Sequence, residues 1–149
     1  MLHAEARRGR AAKPRLWMGL ARSESEVREA QKLRWKIFAE ELGARLRSPE
    51  PGVDRDMVDP YCEHLVVRDE NSGEVVGTYR LLTGAQARRL GGFYSDDEFD
   101  LTRLRHLQDR TVEVGRSCVH PGYRNGATIA LLWSGIAQFM QRHRCEYLI

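Results

Sequence analysis

The chain has no apolar run of the roughly 18 residues that a membrane-spanning helix needs. Its best candidate, Ile129 to Met140, is interrupted by Ser134, Gly135 and Gln138 and reads as a core helix. Cysteine is scarce. The thiols at 62, 118 and 145 form no CxxC pair and leave an odd count, which argues against a disulfide framework and for a reducing compartment, the cytoplasm by default. Cys62-x-His64 and Cys118-x-His120 lack the spacing of a ligand set, so no metal is expected, and Cys118 has no assignable base that would make it a nucleophile. Acidic residues are nearly missing from the first 22 positions, where Arg7, Arg8, Arg10, Lys13, Arg15 and Arg22 face Glu5 alone. With no serine and no apolar signal core, this stretch does not read as a targeting peptide. A basic flexible arm over 1–14 is expected, with peripheral contact to an anionic membrane face left open. There is no recognition helix or aromatic platform, so no nucleic-acid partner is expected. No internal repeat is present.

What remains is the composition of one domain: 149 residues, 42% hydrophobic and 30% charged. A chain of that size buries roughly 68–70% of its unfolded surface, enough for a real core. Residues 15–149 are expected to form it. Arg15 to Ala21 alternates as a first strand. Ser23-x-x-Glu26 has capping-box spacing and opens a helix whose stripe runs Val27, Ala30, Leu33, Ile37, Phe38, Leu42, with Gly43 as its stop. Arg34 lies beside that stripe, not opposite it, so it should reach something specific. Residues 44–61, with Pro49, Pro51, Gly52, Pro60 and Asp54, Asp56, Asp59, read as a long functional loop. A hairpin follows, Cys62–Asp69 and Glu74–Leu82, around Asn71-Ser72-Gly73. Short helices are expected over Ala85–Leu90 and near Leu101–Leu107. A strand over Thr111–Val119, a loop at His120–Gly126, a helix from Ala127 to about His143 and a last strand, Cys145–Ile149, complete an α/β order with a mixed sheet. A sequence that stops inside an apolar strand leaves an edge to be covered, and the domain is expected to be partial at its C-terminus.

The most informative segment is Thr111-Val112-Glu113-Val114-Gly115-Arg116-Ser117-Cys118-Val119, which places two opposite charges in an apolar strand. Buried charge needs a partner or a chemical role. In a regular strand Glu113 and Arg116 point to opposite faces, so they converge only if the strand is distorted, and Gly115 between them is where a bulge is tolerated. An ion pair, or an edge strand with Glu113 in water, is the structural alternative.

Four ordered blocks then carry a resemblance: Glu29-Ala30-Gln31-x-Leu33-Arg34-x-x-x-Phe38-x-Glu40-Glu41-Leu42-Gly43; Asp56-x-x-Asp59-Pro60-Tyr61-Cys62-x-His64-Leu65; Gly77-Thr78-Tyr79-Arg80-Leu81-Leu82; and Glu113-x-Gly115-Arg116-Ser117-Cys118-Val119. Together they resemble the GNAT superfamily of N-acyltransferases, in the branch of ornithine-acyl-carrier-protein N-acyltransferases that make ornithine lipids, related to acyl-homoserine-lactone synthases. The resemblance implies a mixed, mostly antiparallel central sheet flanked by helices, with the charged strand splayed from the next to admit an acyl thioester. It implies Glu113 as proton acceptor with Arg116 beside it. Arg34, Phe38, Asp56, Asp59 and Arg80 would bind the amino-acid substrate, and Ser117, Cys118, Val119, Arg124 and Gly126 the donor. Arg124-Asn125-Gly126-Ala127-Thr128 keeps only part of the Gly-rich loop that cradles the pyrophosphate of coenzyme A. The single phosphate of acyl-carrier-protein phosphopantetheine fits this thinner loop better, with a coenzyme A thioester as the other option and no tightly bound cofactor. Arg88, Arg89, Arg103, Arg105 and Arg124 are candidate docking charges for the acidic carrier protein. A homoserine-lactone-type signal synthase and a non-catalytic carrier-binding module are the alternatives.

Overall fold

In the computed structural model, which describes residues 13–149, the alternating segment Leu16–Leu20 forms β1, and the chain turns directly into α1, Glu24–Trp35. The turn is dictated by Ser23, whose extended backbone lets its hydroxyl accept the Glu26 N–H while the Glu26 carboxylate accepts the Arg22 N–H. Past Trp35 the helix widens into a π-helical stretch, Lys36–Glu41, and Gly43, at φ 70°, lets the chain leave it. Residues 1–12 of the expected basic arm lie outside the described residues.

β2 (Glu63–Asp69) and β3 (Val75–Thr83) form the hairpin, with Gly73 at φ 77° in its turn. Then come α2 (Gly84–Leu90), short 3-10 helices at Tyr94–Asp97 and Thr102–Arg110, β4 (Thr111–Val119), α3 (Ala127–His143) and β5 (Tyr147–Leu148). The sheet order is β1-β2-β3-β4-β5, antiparallel throughout except that β5 runs parallel to the start of β4, Thr111 opposite Tyr147 and Val112 opposite Leu148. The mixed, mostly antiparallel sheet flanked by helices is therefore the observed fold.

Strand alternation divides the core in two. On one face Leu65, Val67, Val76, Leu81 and Val112 meet Leu132, Ile136 and Phe139 of α3. On the other Val66, Val75 and Cys118 meet Ala30, Leu33 and Ile37 of α1 and its π-helical extension. Each such buried aliphatic side chain contributes about 1.5–3 kcal/mol relative to exposure. The outer side of α3 leaves Ile129 and Trp133 exposed. Among the described residues no helix is long and apolar enough to cross a membrane.

β4 is bulged where its sequence is charged. Thr78 pairs with Cys118 but Arg80 with Gly115, so Arg116 and Ser117 together lie across from Tyr79. The left-handed backbone, φ 51°, falls on Arg116, one residue after the glycine that was expected to carry the distortion. A non-glycine residue there costs about 1–2 kcal/mol, which the contacts of its side chain must offset.

Candidate functional site

The site grows from the face of the sheet that α1 covers. Arg80 of β3 and His64 of β2 are directly opposite one another, and the bulge swings Arg116 toward the same region. The loop 44–61 folds over them and brings three aspartates. Arg34, 0% exposed, donates from Nε to Asp54 Oδ2 at 2.8 Å and from Nη1 and Nη2 to Asp59 Oδ1 and Oδ2 at 3.0 and 2.8 Å. Arg80 Nη1 reaches both oxygens of Asp56, at 2.7 and 2.8 Å, and Asp59 Oδ1 at 3.0 Å. Arg116 closes the set, with Nε 3.0 Å from Asp54 Oδ2 and Nη2 3.2 Å from Asp56 Oδ2. Three guanidinium groups and three carboxylates thus alternate in one largely dry network. Pairing of this kind offsets the desolvation that isolated charges would suffer.

The electrostatics follow from that alternation. Burial works to raise the Asp59 carboxyl, but hydrogen bonds from Arg34 and the charges of Arg34 and Arg80 outweigh it and hold it at about 2. Burial opposes the charge on Arg80 as well, yet its contacts with Asp56 drive its pKa upward. His64 has the opposite fate. Burial pushes it down, against the pull of Asp59, and its Nδ1 has no hydrogen-bond partner.

Beside the network opens a cavity of about 240 Å³ lined by Val58, Arg80, Leu82, Tyr94, Ser95, Glu98, Glu113, Val114, Gly115 and Arg116. Nε and Nη2 of Arg80 and Nη1 of Arg116 have no acceptor among the described residues, so these two arginines offer unused donors in its wall. Across from them Glu113, 6% exposed, is held by the turn that starts at Tyr94: Oε2 accepts the Tyr94 N–H at 2.8 Å, and Oε1 accepts the Ser95 N–H at 2.8 Å and the Ser95 hydroxyl. A carboxylate has about four lone-pair sites, and Oε2 keeps one unused. The same turn lays the Tyr94 ring against both guanidinium groups, 5.5 Å from Arg80 and 5.4 Å from Arg116. Such cation–π contacts are worth about 0.5–1 kcal/mol each at exposed sites.

Glu113 and Arg116 therefore line one cavity without pairing to each other. Asp56 and Arg80 reach it through the network and the wall respectively, whereas three of the other expected substrate residues do not face it. Arg34 and Asp59 are buried with their polar atoms committed to one another, and Phe38 packs against the α1-side core, as its place in the helical stripe dictates. Along the expected donor path, the Cys118 side chain points into that same core and burial pushes its thiol up to about 12, whereas Ser117 is exposed and Val119 packs against the α3-side core. Arg124 donates to both oxygens of Glu41, at 2.8 and 2.9 Å, and to the Val119 carbonyl. Gly126, at φ 90°, caps α3 without a side-chain hydrogen bond, and the Ala127 N–H at its start donates to Asn125 Oδ1 at 3.3 Å. Among the described residues no cluster suited to a metal ion exists. The sequence does not mark Tyr94, Ser95 and Glu98 as site residues, because they fall in the unpatterned stretch between the two short expected helices, where Phe93, Tyr94 and Phe99 stand out only as aromatic anchors.

Comparison with known proteins places the chain in a family. Residues 33–134 match the acetyltransferase (GNAT) domain family. L-ornithine N(alpha)-acyltransferase of Rhodobacter capsulatus is 43% identical over 136 residues, covering 87% of this chain and 52% of that protein. The enzyme of the same name from Brucella abortus is 41% identical over 138 residues, covering 87% and 49%. The chain thus spans about half the length of the curated relatives it matches. Among solved structures, FeeM, an N-acyl amino acid synthase from uncultured soil microbes, superposes with a TM-score of 0.70 at 13% identity over 91% of this chain and 70% of that one. The acyl-homoserine-lactone synthase LasI does so with 0.66 at 16% identity, over 91% and 71%. With the family match running from the end of α1 through the aspartate loop and the bulged strand into the first half of α3, the chain belongs to the GNAT acetyltransferase family.

Proposed function

We propose that this chain carries the acceptor side of an N-acyltransferase that moves a 3-hydroxy fatty acyl group from acyl carrier protein to the α-amino group of L-ornithine, an amide-forming step of aminolipid synthesis. The observation that carries it is the cavity in which the unused donors of Arg80 and Arg116 face Glu113. Guanidinium groups suit the carboxylate of an amino acid. A carboxylate with one open lone pair suits removal of a proton, directly or through water, from the amine that attacks the thioester. The names of the relatives supply the identity of the amine.

In this reading Asp56 orients Arg80 and Arg116, and Arg34 with Asp59 builds the wall behind them. The donor's pantetheine arm lies along the backbone of Ser117–Val119, where β4, paired with β3 on one side, has no partner past Val114 on its β5 side among the described residues. The N-terminal turn of α3, past Gly126, meets its phosphate. One phosphate is enough for a loop whose arginine, Arg124, is already paired with Glu41. The test mixes purified protein with acyl-carrier-protein thioester and ornithine and follows free thiol and the mass of acyl-ornithine. Glu113→Gln should lower kcat by about 10²–10⁴-fold, the range of a positioned general base. Unchanged turnover removes Glu113 from the proton transfer, and faster turnover with acyl-coenzyme A than with the carrier thioester reverses the donor assignment.

A further inference from the structure

The cavity holds a second acid whose chemistry the acylation step does not use. Glu98 ends the turn Tyr94–Asp97, lines the cavity, and its carboxylate has no hydrogen-bond or ion-pair partner among the described residues. The other charged lining residues are already engaged: Glu113 with Tyr94 and Ser95, Arg80 and Arg116 with the aspartates. The position of Glu98 is not incidental to the loop. Its backbone N–H donates to the Ser95 carbonyl at 3.1 Å, so the turn anchored by Glu113 also fixes where Glu98 stands.

We infer that Glu98 reads the far end of the acceptor and selects amino acids whose side chain ends in a cation. The inference rests on the acceptor reading above. An amino acid held by its carboxylate at the arginine wall, with its α-amine toward Glu113, sends its side chain across the rest of the cavity. A terminal ammonium arriving there needs a counter-charge. Val58 and Leu82 in the same lining suit the methylene stem and supply none. Glu98 is the remaining carboxylate in the lining, and it stands exposed without a protein partner among the described residues. A neutral side chain of the same length would fill the cavity equally well but leave that charge unanswered.

Calorimetric titration without any acyl donor tests this apart from catalysis, with ornithine and its uncharged isostere norleucine as probes. Unaltered protein should bind ornithine about fivefold or more tightly than norleucine, the scale of a partly screened ion pair. Glu98→Gln should remove the preference by weakening ornithine alone, and Glu98→Asp should restore part of it. Equal affinities for the two probes in the unaltered protein, binding of neither, or a preference that survives Glu98→Gln overturns the inference. A preference that depends on Glu98 in a protein that acylates nothing would uphold it while defeating the proposed reaction.

Discussion

Arg34 shows how a residue of functional appearance can serve the frame around a site. A guanidinium at 0% exposure is tolerated only because its fork fits two carboxylates and a carbonyl at once. Arg34→Met should therefore destabilise the protein by about 3–5 kcal/mol, since Asp54 and Asp59 would be left buried without that partner. Urea unfolding measures it, and a loss below 1 kcal/mol would mean that Arg80 and Arg116 compensate alone. The sequence made this residue conspicuous, beside the apolar stripe of α1, but could not say which acid it meets, because Asp54 and Asp59 lie 20 and 25 positions away on a loop without periodicity. Glu113 and Arg116 were legible for a different reason: charge inside an apolar strand is costly, so its presence signals a partner. Glu98 carried no such signal, since an acid in a polar turn is what solvent alone would favour.

At the scale of elements, the strands and helices with clear periodicity match expectation closely, Thr111–Val119 and Ala127–His143 to the residue. The departures have local causes. The π-helical widening at Lys36–Glu41 and the 3-10 form of Thr102–Arg110 reflect packing against neighbours, which no local pattern encodes. α2 depends on one such contact. Gly84, its first residue, sits so close to the 3-10 segment that an added Cβ would lie 1.8 Å from the Gln108 carbonyl oxygen. Gly84→Ala should then cost about 1–3 kcal/mol despite the better helix propensity of alanine. A rise in thermal stability would show that the Thr102–Arg110 segment yields instead.

For the whole molecule, acid should act in two stages. His64 is pushed down by burial from its ordinary 6.5, so the folded state resists its protonation; the stability tied to neutral His64 is complete above about 6.5 and drains as pH falls below it. Asp59, held at about 2 against an ordinary 3.8, contributes about 2 kcal/mol above pH 4, lost as pH falls from there toward 2. Urea midpoints taken from pH 8 to pH 3 should step down twice, and His64→Gln should erase the upper step only. Both groups belong to the network that pins the loop 44–61 across the sheet. The two walls of the cavity consequently differ in how freely they can change. One is stitched by six interlocked charges, where altering any single member unravels its neighbours; the other, from Tyr94 to Glu98, hangs largely on the grip of Glu113. New acceptor preferences should arise by drift along that second wall, while the first stays as inherited.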